Sequence, residues 1–203
     1  IQLYFDPEPS NSNINTLSEQ LKFQFDKQTA SINILKEFGK SYSANPIKIY
    51  ELAIADDRYV GSDTWGFFQS RVKSYAIDQD YRNILIILSD GYIYHKDNKK
   101  EEAGKTSYLR PQDVRALNLD TSNWREHMDE KDLGFLPATS GLDDLEILVL
   151  NINPSSNNPY EEEVLRAYWS DWFDAMDVER YSIKATALPS NMEDVIRDFL
   201  FEK

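Results

Sequence analysis

The sequence predicts an α/β fold: a doubly wound, mostly parallel central sheet with helices on both faces, a three-layer sandwich of the Rossmann type. Three observations carry this. Ile84-Leu85-Ile86-Ile87-Leu88 is an apolar run too short for a stable helix and bounded by the turn signal Ser89-Asp90-Gly91, the pattern of a strand buried on both faces. A second apolar run covers residues 145–152. Around these two, strand-like and helix-like stretches alternate along the chain, as they do where crossover helices link parallel strands.

Taken in order, residues 1–5 alternate as a strand and run into a polar, proline-rich loop, Asp6-Pro7-Glu8-Pro9-Ser10-Asn11-Ser12-Asn13. Thr16 and Glu19 have capping-box spacing, so a helix is expected with Thr16 as its N-cap. The stretch to about Lys27 reads either way, because Leu17, Leu21 and Phe25 keep helical spacing while residues 21–25 alternate. Ile32, Leu35 and Phe38 restore helical spacing before Gly39, in one long helix or a second one. After Pro46, residues 47–55 are expected to form a strand. The polar loop Gly61-Ser62-Asp63-Thr64 follows, then Trp65, Phe68, Val72 and Tyr75 on one helical face, with Thr64 where that helix starts.

The central strand comes next, and residues 92–142 are an elaborated crossover with a charged tip and short helices near residues 111–117 and 123–129. After the strand at 145–152, Asn158 is expected to N-cap a helix with Pro159 at its first position. Glu161, Glu162 and Glu163 fill the first turn, where the helix dipole favours negative charge. The buried stripe is Val164, Leu165, Tyr168, Trp172, Ala175 and Met176, widened by Trp169 and Phe173. Residues 181–185 form a last strand, and Ser190-Asn191-Met192-Glu193 caps a final helix with Val195, Ile196, Phe199 and Leu200 inward.

The totals bound the function. The 203 residues are expected to form one domain, with 41% hydrophobic and 13% aromatic residues supplying the core. A formal charge of −13, with Lys and Arg scattered, argues against nucleic acid as a partner. The most basic run, residues 95–100, is followed at once by Glu101 and Glu102 and reads as a solvated tip. The absence of cysteine removes disulfides, thiolate metal sites and cysteine nucleophiles. No apolar run is long enough for a transmembrane segment. The chain opens on Ile1 rather than Met, which points to an upstream segment, a targeting peptide or another domain, and favours an extracytoplasmic or secreted setting.

In an open α/β sheet, sites lie at the carboxyl ends of the strands. Three loops are expected there: Asp6, Glu8 and Ser10 after the first strand, Thr64 before a helix, and Asp90 after the central strand. Asp6, Glu8 and Ser10 occupy every second position, so an extended loop sends their side chains to one side. All five residues offer oxygen, the donor that Mg²⁺, Mn²⁺ and Ca²⁺ take. The same residue types also serve as ordinary helix caps.

In kind, order and approximate separation, Asp6, Ser10, Thr64 and the Asp90-Gly91 pair resemble the metal-ion-dependent adhesion site of the von Willebrand factor A family. There an Asp-x-Ser-x-Ser motif follows the first strand, a Thr precedes a helix, and an Asp ends an apolar strand. The resemblance spans essentially the whole chain. It implies a binding module that recognises a protein or glycan ligand at the top of the sheet, through a divalent cation that captures a carboxylate from the partner. One position departs: Glu8, flanked by Pro7 and Pro9, stands where the family has its first Ser. A Glu8 carboxylate on the metal partly neutralises it and weakens that capture. Alternatively Glu8 fills the ligand position itself, or the prolines turn it away and no metal binds.

Two other readings stay open. One is a metal-dependent phosphoryl-transfer hydrolase with Asp6 as nucleophile and Asp90 on Mg²⁺. Against it, no second Asp follows Asp6 closely, and the chain has neither a Gly-rich phosphate loop nor a Gly-x-Ser-x-Gly elbow. His95 and His127, the only histidines, lie in the charged crossover and read as surface residues. The other is an interaction scaffold with a vestigial site, recognising its partner through the crossover surface that includes Trp124.

Overall fold

The computed structural model describes residues 2–3, 11–56, 61–155, 158–185 and 189–201. It divides into two compact units, residues 1–61 and 62–203, each with its own apolar core.

In the first unit β1 (Gln2–Leu3) pairs antiparallel with β2 (Phe23–Gln24). Between them lies α1 (Ser12–Glu19), which starts earlier than the Thr16 capping box predicts. Asn11 is the N-cap, its side chain accepting the Asn13 N–H at 3.0 Å, while the Thr16 hydroxyl donates to the Ser12 carbonyl one turn back. Then α2 (Ile32–Ala55) runs as one helix from its Ser31 cap through Gly39 and Pro46. The strand expected at residues 47–55 is therefore helix. Ile49, Leu52 and Ala53 have i, i+3, i+4 spacing and pack with Ile14, Leu17, Leu21 and Tyr42, whereas Ile47, Tyr50 and Ile54 lie on the opposite side, exposed. A two-residue alternation and a helical stripe coincide over such a short run, and burial of the stripe against α1 decides for helix. The buried Asn45 amide donates to Gln20 at 3.0 Å and the Tyr42 hydroxyl to the Leu21 carbonyl at 2.9 Å, fastening α2 to the end of α1.

The second unit follows β3 (Gly61–Ser62) with α3 (Thr64–Ser70) and α4 (Val72–Ala76). Trp65, Phe68 and Val72 are buried as expected; Tyr75, beyond the break at Arg71 that rotates the helical face, is exposed. Next come β4 (Asn83–Leu88) and the crossover: β5 (Tyr94–His95), β6 (Glu101–Glu102), β7 (Lys105–Thr106), α5 (Pro111–Ala116), α6 (Trp124–Glu130) and β8 (Gly134–Phe135). Both expected short helices are present. The chain then forms β9 (Leu145–Ile152), α7 (Glu161–Asp174), β10 (Arg180–Ala185) and α8 (Pro189–Phe201).

This unit is mixed α/β, with β10, β9 and β4 in an all-parallel sheet whose middle strand is β9. Successive residues of β9 feed opposite cores. Ile147 and Val149 join Trp169, Trp172 and Phe173 of α7, while Leu148 and Leu150 join Val195, Ile196 and Phe199 of α8. Thus α7 and α8 pack on opposite faces. Among the three described strands of this sheet, β9 is the one buried on both faces along most of its length. The run at 84–88 departs from that expectation because β4 ends the row of described strands, leaving Ile86 38% and Leu88 71% exposed.

Three local details also differ. α7 begins at Glu161 rather than beside Asn158, whose side chain accepts the Tyr160 N–H one turn earlier, and Ala175 at its end is exposed rather than buried. α8 begins at Pro189, so Ser190 lies inside the helix. Among the described residues, no helix is long and apolar enough to cross a membrane.

Candidate functional site

Of the five residues read as metal ligands, Asp6, Glu8 and Ser10 lie outside the described residues; Thr64 and Asp90 have described positions. Thr64 is the first residue of α3, and its hydroxyl lies 3.2 Å from that of Ser62. The cap itself is Asp63, which accepts the Gly66 N–H at 2.9 Å and two contacts from the Asn98 amide at 2.8 and 3.1 Å. A Cβ on residue 66 would meet Asp63 at 2.3 Å, so this cap requires glycine there.

Asp90 is exposed at the carboxyl end of β4, on a loop held by five hydrogen bonds. The Ser89 N–H donates to the Leu150 carbonyl at 3.0 Å, and the Asn153 N–H to the Asp90 carbonyl at 2.9 Å, carrying the β4–β9 pairing past both strand ends. The Gly91 N–H donates to the Ser89 hydroxyl and the Tyr92 N–H to Asp90 Oδ1, each at 3.0 Å, forming two turn-closing bonds. Gly91 has φ of 102°, and an added Cβ would meet Ile152 and Leu165 at 3.0 Å. Its carbonyl accepts the Trp169 indole N–H at 2.9 Å. Glycine is needed here for conformation and for close packing alike.

Beneath this loop Tyr92 donates its hydroxyl to Glu161 Oε1 at 2.6 Å and accepts the Ser155 N–H at 3.3 Å. Glu161 is 1% exposed, in the first turn of α7. Burial, and then the bond to the Glu161 carboxylate, push the Tyr92 hydroxyl well above the usual tyrosine range, so it stays a proton donor. Nearby, the Asn158 amide nitrogen is buried with no partner among the described residues.

Thr64 and Asp90 make no hydrogen bond to each other; each is held by its own loop. Among the described residues no three His, Cys, Asp or Glu side chains gather around one point. The groups described at this edge are the presented Asp90 carboxylate, the neighbouring backbone amides and the Ser89 hydroxyl.

Sequence reading missed Glu161, Tyr92 and Asn153. Glu161 had a readable signal: it shares helical spacing with Val164, Leu165 and Tyr168, so it alone of the three glutamates falls on the buried stripe. Neither protein-family models, nor curated proteins, nor solved structures give a match to this chain.

Proposed function

We propose that the chain is a non-enzymatic binding module of the von Willebrand factor A type, recognising a protein or glycan ligand at the carboxyl edge of a doubly wound sheet. The observation that carries this reading is the exposed Asp90 carboxylate, held off the end of a parallel strand by a loop clamped to β9 and α7. Such a preorganised acidic group on rigid elements suits a cation that a partner carboxylate then completes. The all-parallel order β10-β9-β4 and the helices on opposite faces are consistent with the doubly wound form. In this reading the Asp90 carboxylate is a ligand of a Mg²⁺, Mn²⁺ or Ca²⁺ ion at this edge.

The test is thermal unfolding with each cation, in the wild type and in Asp90→Ala. Occupancy at a hundredfold excess over Kd adds about 2.7 kcal/mol to the folded state, a Tm rise on the order of 5–10 °C at this chain length. The variant is expected to lose that rise. An equal rise in both proteins, or none with any cation, rejects the proposal.

A further inference from the structure

Asn151 has φ of 76° although it is neither glycine nor at a chain turn; it sits one residue before the end of the middle strand of the sheet. The same place carries a break in register. Val149 is level with Ile183 and Ile152 with Ala185, so β9 has one residue more than β10 over that interval. This is a β-bulge, and its effect is visible in which core each residue joins. Leu148 and Leu150 face α8, so uninterrupted alternation would send Ile152 there too; instead Ile152 joins the α7 core, beside the backbone of Gly91. One residue further on, the Asn153 N–H reaches the Asp90 carbonyl.

We infer that Asn151 is a positioning residue for the Asp90 edge: its left-handed backbone turns Ile152 under Gly91 and delivers the Asn153 N–H to Asp90. Asparagine suits the task, since it tolerates the left-handed region far better than a β-branched residue does. Bulges of this kind re-aim the chain near binding edges, and a strained residue persists where the surroundings hold it. The link to cation binding rests on the function proposed above; the link to loop geometry does not.

The experiment compares wild type with Asn151→Gly, Asn151→Ala and Asn151→Val, reading amide hydrogen exchange of Tyr92 and Asn153 without metal and Mn²⁺ affinity by calorimetry. Asn151→Gly, which accepts positive φ freely, is expected to keep both protection and affinity. Asn151→Val is expected to speed exchange at those two amides roughly tenfold or more while Ile147 and Val149 stay protected, and to weaken Mn²⁺ binding by a similar factor. Asn151→Ala, the milder change, gives the same pattern with smaller effects and serves if the valine variant does not fold. Unchanged protection at Tyr92 and Asn153 in the alanine and valine variants overturns the inference, as does a lower Tm with those amides and the affinity intact. A wild type that binds no Mn²⁺ rejects the cation reading, and the exchange measurements then decide the positioning role alone.

Discussion

Tyr92 and Glu161 join the Asp90 loop to α7 by one short bond between a half-buried hydroxyl and a buried carboxylate. Tyr92→Phe keeps the ring and removes the donor, leaving a buried carboxylate without that partner. The expected loss is about 1–3 kcal/mol, read as a Tm lower by several degrees; an unchanged Tm means that the carboxylate gains nothing from Tyr92. Gly91→Ala tests the same loop from the backbone side, because the new methyl meets Ile152 and Leu165 and the φ of 102° disfavours any side chain. It is expected to destabilise more than Tyr92→Phe does, in the same unfolding assay. At this scale much was legible in the sequence: Asp90 and Gly91 announced a turn ending an apolar strand. Asn151 was harder to see, since a single Asn in Leu145-Glu146-Ile147-Leu148-Val149-Leu150-Asn151-Ile152 looks like one outward-facing polar position until the register is known.

Among elements, the docking of α8 is fixed by charge as well as by apolar contact. Arg82 and Arg180 both bond Glu146 and both donate to the Phe199 carbonyl, where the helix leaves its last carbonyls unpaired. The Arg82 hydrogen bond, with Arg180 beside it, holds the Glu146 carboxyl below its ordinary value of 4.5. A carboxyl depressed in the folded state adds stability that is present above its unfolded pKa and is lost as the pH falls through the folded one. Glu146→Gln is therefore expected to lower Tm at neutral pH and to flatten its decline as the pH falls below 4.5; parallel Tm–pH curves for variant and wild type contradict this. In the first unit, Pro46 lies inside the continuous helix α2 and removes the N–H that would bond the Tyr42 carbonyl. Pro46→Ala is expected to stabilise that unit by up to about 3 kcal/mol, measured by denaturant unfolding. A loss of stability instead would favour the extended conformation that sequence alternation suggested for residues 47–55. That expectation failed because local pattern cannot supply the tertiary partner, here Ile14 and Leu21, that selects which stripe is buried.

Across the whole molecule, the parallel strands were readable from their composition, and so were both crossover helices and the aromatic stripe of α7, because each carries a strong local signal. The placement of the short strands β5 to β8 was not readable, since two-residue strands depend on pairing partners distant in sequence rather than on their own residues. The sheet separates two charged features by its own length. Glu146 lies near the amino end of β9 and Asp90 beyond the carboxyl end of β4, about 20 Å apart for strands of six residues at roughly 3.3 Å each. With a net charge of −13, the surface attracts divalent cations diffusely as well. A cation held at Asp90 is therefore tested by a measurement that reads position as well as binding: paramagnetic broadening of backbone amide resonances by substoichiometric Mn²⁺. The amides of Asp90, Gly91 and Tyr92 are expected to broaden first while those of Glu146 and Arg180 stay sharp. Broadening spread over the acidic surface, or resonances at residues 89–92 that remain sharp, contradicts a cation held at Asp90.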